Sequence, residues 1–123
     1  MAIVSDWLEQ ANQQLLAIKN LPAGWDSYGA YPPDAAIIDS GSRLLLAIAQ
    51  EKGVPKPHVV PTNSGGVQFE WESGQRYFEI KIVDPFTVHF LFEDREARES
   101  VEDAMNIDDH LEELIAYIRR AAD

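Results

Sequence analysis

The sequence has no cysteine, which removes disulfides, thiolate-ligated zinc, iron–sulfur clusters and thiol catalysis from consideration. Long apolar runs are missing as well. The longest, Leu44 to Ala49, spans six residues, against the roughly 20 that a membrane-spanning helix needs. Basic residues are scarce: ten Lys and Arg stand against 21 Asp and Glu, a formal net charge of −11. That balance speaks against sequence-independent binding of DNA or RNA, which needs a basic surface, and against docking on anionic lipid. The N-terminal MAIVSDWLEQ has neither a basic segment nor a long apolar core, so no signal peptide is expected. A chain without thiols is at ease in a reducing compartment, and the expected location is cytoplasmic.

Catalytic and metal-binding motifs are also sparse. The histidines, His58, His89 and His110, are far apart in sequence and form no HxxxH or HExxH pattern. In the run Asp108 to Glu113, the pairs Asp108/Glu112 and Asp109/Glu113 have the i,i+4 spacing at which a helix could hold a hard cation. Acids in a first helical turn also simply favour the helix dipole, and no metal site is assigned. No G-x-S-x-G elbow is present, since Asp39-Ser40-Gly41-Ser42 lies inside a helical pattern. Gly65-Gly66 lacks the Lys and Ser/Thr of a phosphate loop and sits between two strand patterns. No catalytic residue and no cofactor are expected.

What remains is a chain of 123 residues, 46% apolar and 25% charged, the composition and length of one soluble domain covering residues 1–123. Val4, Leu8, Ala11, Leu15 and Ile18 recur at helical spacing, which predicts a helix over 4–19 capped by Ser5 or Asp6, with Asp6 and Glu9 at capping-box spacing. Ile37, Gly41, Leu44, Leu45 and Ile48 predict a second helix over 33–52, opened by Pro33 and Asp34. Gly41 in its interior marks a point of close packing. The period then falls to two. His58 to Pro61 reads as an edge strand, because Pro61 cannot donate to a ladder. Val67, Phe69 and Trp71, then Phe78, Ile80 and Ile82, then Val88, Phe90 and Phe92 alternate with polar residues. A Ser73-Gly74 turn would set Phe69 against Phe78. An Asp84-Pro85-Phe86 loop would set Ile80 against Phe90. Residues 93–105 fit either a short strand near 98–103 or a charged loop. A last helix is expected over 107–121, with acids in its first turn and Arg119-Arg120 in its last. The fold class is therefore α+β: an antiparallel three- to four-stranded meander with helices packed on its apolar face, in the order α-α-β(β)ββ-α.

Three features bear on function. In the alternating register Glu70, Glu72, Glu79, Lys81 and His89 share the polar sheet face. Such a face can be simply solvated, can bind a partner, or can use a His among carboxylates as an acid–base group. The loop from Gly24 to Ala30 holds Trp25, Asp26 and Tyr28, with Tyr31 just beyond it. Three large aromatics predict a loop folded onto the body, with Trp25 mostly buried and Asp26 accepting backbone hydrogen bonds. The alternative is an aromatic grip on a partner. Finally, charge is uneven: six bases and ten acids precede residue 93, whereas four bases and 11 acids follow. Glu99, Glu102 and Asp103 lie in that acidic quarter and are candidates for steering a basic partner.

The strings GWDSYGAYPP and VVPTNSGGVQFEW, followed by YFEIKI, resemble an uncharacterised family of small bacterial proteins. That family has a GWDxYxAxP loop opening a helix and a PTxxGGVxxEW strand. The resemblance covers about residues 21–83. Trp25, Asp26, Tyr28, Pro32, Gly66, Glu70 and Trp71 fall on its pattern. It implies the fold and no reaction, cofactor or catalytic residue. The expected function is a small acidic interaction module that binds, and can neutralise, a basic protein partner, as antitoxins, immunity proteins or phage-encoded inhibitors do. The alternatives are an enzyme or small-ligand binder using the carboxylate and His face, and a structural subunit of a larger assembly. The partner and the oligomeric state are left open.

Overall fold

A computed structural model describes residues 5–122. Val4, placed by the sequence at the start of the first apolar stripe, lies outside the described residues. Three helices, α1 (Leu8–Lys19), α2 (Ala35–Ala49) and α3 (Leu111–Ala122), accompany five strands. These are β1 (His58–Pro61), β2 (Val67–Ser73), β3 (Arg76–Asp84), β4 (Thr87–Asp94) and β5 (Glu99–Asn106). The strands form one antiparallel meander in chain order. The α+β class and the helix-helix-sheet-helix order expected from periodicity are what is found, with one strand more than the sequence secured.

The helix boundaries need correction. α1 starts at Leu8, and its N-cap is Trp7, which makes no side-chain capping bond. Neither Ser5 nor Asp6 caps it through a side chain; instead the Ser5 carbonyl accepts from Leu8 N–H in a turn. The Trp7 indole donates to Val54 O, so the residue on the cap is committed to the segment between α2 and β1. α2 is shorter than 33–52 because Asp34 is its N-cap, accepting from Ala36 and Ile37 N–H. α3 begins at Leu111 rather than 107. Ahead of it, Asn106 Oδ1 accepts from Asp108 N–H in a turn. Asp108 and Asp109 therefore precede the helix, and the i,i+4 carboxylate pairs anticipated there do not form on a helical face.

The core is the apolar face of β2, β3 and β4. Val67, Phe69, Trp71, Phe78, Ile80, Ile82, Val88, Phe90 and Phe92 are all buried, as alternation predicts. Register is where expectation and structure part. The β2–β3 loop is Gly74-Gln75, with Ser73 opposite Arg76, so Phe69 faces Ile80 and Trp71 faces Phe78. Gly74 adopts φ +59 at the first loop position, where a tight hairpin turn needs a positive φ. The error is two residues in the pairing sum, which changes neighbours but not faces. In the next hairpin Ile80 does face Phe90, and an irregularity between Ile82 and Asp84 takes up Val83, leaving Pro85-Phe86 as the loop.

All three helices lie against the apolar face. Gly41 lets α2 approach the sheet: a β-carbon there would sit 3.3 Å from Val67 Cγ1 and 3.4 Å from Phe69 Cζ. Tyr117 of α3 packs on the rings of Phe78, Phe90 and Phe92, with centroids 5.2–5.4 Å away. At the far end of the sheet Asp94 is a buried acid. It accepts from Ala97 N–H and is paired with Arg76 at 3.2 Å. These bonds, the backbone one first, hold its carboxyl below the usual range.

Candidate functional site

Because the helices occupy one face, the opposite face of the sheet is open, and alternation decides its composition. β2 contributes Gln68, Glu70 and Glu72; β3 contributes Tyr77, Glu79 and Lys81; β4 contributes His89, Leu91 and Glu93; β5 contributes Ser100, Glu102 and Ala104. The centre is a cross-strand row in which Glu70 faces Glu79, Glu79 faces Leu91, and Leu91 faces Glu102. Two like charges directly opposite destabilise a sheet. Two local hydrogen bonds soften the repulsion: Tyr77 Oη donates to Glu79 Oε1 at 3.1 Å, and Gln68 Nε2 donates to Glu70 Oε1 at 3.3 Å. Burial, then the charges of Glu79 and Glu70, pushes the Tyr77 phenol far above its ordinary range. The ring therefore stays neutral and remains a donor.

The ion pairs found among the described residues leave this face alone. Arg76 pairs with Asp94, Arg119 with Glu51, Arg120 with Glu99, and His110 with Glu113. Glu70, Glu72, Glu79, Glu93 and Glu102 take part in none of them. Lys81 stands opposite His89, one row away from the carboxylates at the centre.

The sequence candidates thus divide. Glu70, Glu72, Glu79 and His89 do share a face, joined by Tyr77, Leu91 and Glu93, which parity alone could have added. Glu99, Glu102 and Asp103 do not share one face of the sheet. Only Glu102 is on the open face. Glu99 is on the helix side, held by both Arg120 nitrogens with the shorter contact at 2.7 Å. Asp103, facing the Phe90 position, accepts from Ala104 N–H. A recess of about 210 Å³ at the β1 end of the sheet is lined by residues including Lys56, His58, Glu70 and Glu72. It includes neither Glu79 nor His89, so the carboxylate and His candidates do not converge on one cavity. Among the described residues no group of three or more His, Asp or Glu is positioned to hold a metal ion, and no helix is long and apolar enough to cross a membrane.

The aromatic loop follows its expectation at Asp26 and Trp25 and departs from it at the two tyrosines. Asp26 Oδ1 accepts from Tyr28 and Ala30 N–H at 2.8 and 3.1 Å, the anticipated turn. Backbone bonds from Tyr31 N–H to Asn63 O and from Asp34 N–H to Gly65 O stitch the loop to the β1–β2 turn. Trp25 is mostly buried, as expected, and its indole donates to Tyr31 O at 3.3 Å. Tyr28 and Tyr31 are 92% and 69% exposed. The loop is pinned through its main chain, so its tyrosines are not needed as core plugs. Comparison with protein-family models, with curated proteins and with solved structures gives no match.

Proposed function

We propose that the chain is a small protein-binding module whose open, acidic sheet face receives a basic protein surface. One observation carries the reading: the side of the sheet without helices bears five carboxylates, Glu70, Glu72, Glu79, Glu93 and Glu102, that have no ion-pair partner among the described residues. Like charges held across strands, as at Glu70 and Glu79, cost stability when the protein is alone. A partner that brings Lys or Arg relieves that cost and is steered in by the net charge of −11. Neutralising or inhibiting a basic protein is the biological role this chemistry suits. An enzymatic reading draws less support, since the carboxylates and His89 do not converge on one cavity. We also propose kinship with the small bacterial proteins that share the GWDxYxAxP and PTxxGGVxxEW patterns. Its support is that Asp26, Gly66 and Trp71 all serve the fold here: a turn, a close backbone approach and a buried indole bonded to Pro55 O.

The test is to place a photo-crosslinking residue at Leu91, at the centre of the face, and identify what it captures in the native cell. Association with that partner is then followed by stopped flow across ionic strengths. The expected result is a rate that falls steeply with salt, because the Debye length shrinks to about 8 Å at physiological strength. Glu70→Lys with Glu79→Lys should slow it by about tenfold or more. A rate indifferent to salt and to charge reversal would reject the reading.

A further inference from the structure

The sheet ends on two edges of opposite character. β1 has four residues, closes on Pro61 and follows Pro57, so it offers little main chain for pairing. β5 has eight residues without Pro or Gly and pairs along its whole length with β4 on one side only. Ala104 donates its N–H to Asp103 Oδ1 at 2.8 Å. That bond marks Ala104, and by alternation Ser100 and Glu102, as residues whose N–H and C=O face outward. The helical layer also stops short of this edge: α3 packs over β2, β3 and β4. Val101 and Met105, on the helix side of β5, are left half-buried at the rim.

We propose that β5 is a docking edge to which an extended basic segment of the partner adds as a sixth strand; this rests on the reading of the chain as a binder of basic proteins. A second copy of this chain is a poor occupant. β5 carries Glu99, Glu102 and Asp103 and no base, so antiparallel self-pairing about its centre brings acids face to face. A basic strand meets the edge on three counts. Main-chain hydrogen bonds go to Ser100, Glu102 and Ala104. Adjacent bases fall opposite Glu102 on the open face and Asp103 on the helix side. Apolar residues on either side of that pair fall opposite Val101 and Met105. Asp103 covers the Ala104 N–H in the free protein and swings aside to an incoming base, so the edge is guarded against indiscriminate pairing.

The probe is the peptide Thr-Val-Thr-Arg-Lys-Val-Thr-Lys, which antiparallel pairing aligns with Asn106 through Glu99. Its binding is read by amide–water exchange in the intact protein by NMR. Exchange at Ser100, Glu102 and Ala104 should slow about tenfold with peptide at ten times its Kd. The same peptide N-methylated at its third, fifth and seventh residues keeps its charge, loses its donors to the edge, and should leave those amides unchanged. Equal protection by the methylated peptide, or no slowing at millimolar peptide, overturns the inference. Binding that perturbs only the rows around Glu70 and Glu79 also overturns it, while leaving the basic-partner reading standing. Equal protection by Thr-Val-Thr-Gln-Gln-Val-Thr-Gln would leave strand addition standing and reject the basic occupant.

Discussion

The two faces of this sheet are made by the same strands, residue by alternating residue, yet they obey different rules. On the helix side Phe69, Phe78, Ile80 and Phe92 are fully buried, and stability comes from excluding water over a large apolar area. On the open side Glu70, Glu72, Glu79, Glu93 and Glu102 share one wet surface, and Glu70 stands directly opposite Glu79. The covered face determines whether the chain folds. The open face gives up part of that stability by holding like charges opposite one another.

The contrast can be broken hardest on the covered side. Phe78→Ala removes a ring that packs on Trp71, Phe90 and Tyr117 and should cost about 3–5 kcal/mol, read as a fall in the urea midpoint. Next comes the point where the β1–β2 turn presses on β3. A β-carbon on Gly66 would lie 2.6 Å from Ile82 O, a backbone atom that cannot step aside, so Gly66→Ala should cost about 1–3 kcal/mol. On the open face the sign should reverse. Glu79→Gln removes the charge opposing Glu70 and keeps an oxygen for Tyr77 Oη, so it should raise stability by about 0.2–1 kcal/mol, with the gain shrinking in high salt.

The smallest effect is seen on the alkaline side. Tyr77 is held neutral in the folded protein, whereas an unfolded tyrosine loses its proton near 10. Its contribution is present in full below about pH 10 and is lost as pH rises beyond that, because the unfolded chain then binds fewer protons than the folded one. Tyr77→Phe should flatten the stability profile above pH 10 and leave it unchanged at neutral pH apart from the lost hydrogen bond to Glu79. An unaltered alkaline limb would mean that neither burial nor the neighbouring carboxylates hold Tyr77 neutral in the folded protein.

Much of this was legible in the sequence where one period dominates. Strands β2, β3 and β4 alternate strictly, so every core residue of the sheet follows from parity, and the same parity puts Glu70, Glu72, Glu79 and His89 together. β5 was half-legible: Val101 and Met105 are its only strong apolar residues, because a strand beyond the helical layer has little to bury on either side. Asp94 gave no signal at all. It is one acid in the string EDREARE, and its burial depends on Arg76 from another strand and on the Ala97 N–H of its own turn. The tyrosines misled for a related reason. Aromatics in a Gly- and Pro-rich loop suggest packing, but here the main chain and Asp26 supply the order, leaving Tyr28 and Tyr31 exposed.

By itself the sequence determined which residues face in and which face out, because side chains alternate with period two and a register error of two in the pairing sum leaves the faces unchanged. It also determined where the helices stand in chain order, through stripes at helical spacing closed by proline and glycine. Only the tertiary structure decided which residues are neighbours across strands, since moving the two-residue turn by one position along the chain turns a Phe69–Phe78 pair into Phe69–Ile80. It also decided that β5 forms over its full length, paired with β4 along one edge and unpaired along the other. Those outcomes depend on distances between segments far apart in the chain, and local periodicity carries no information about them.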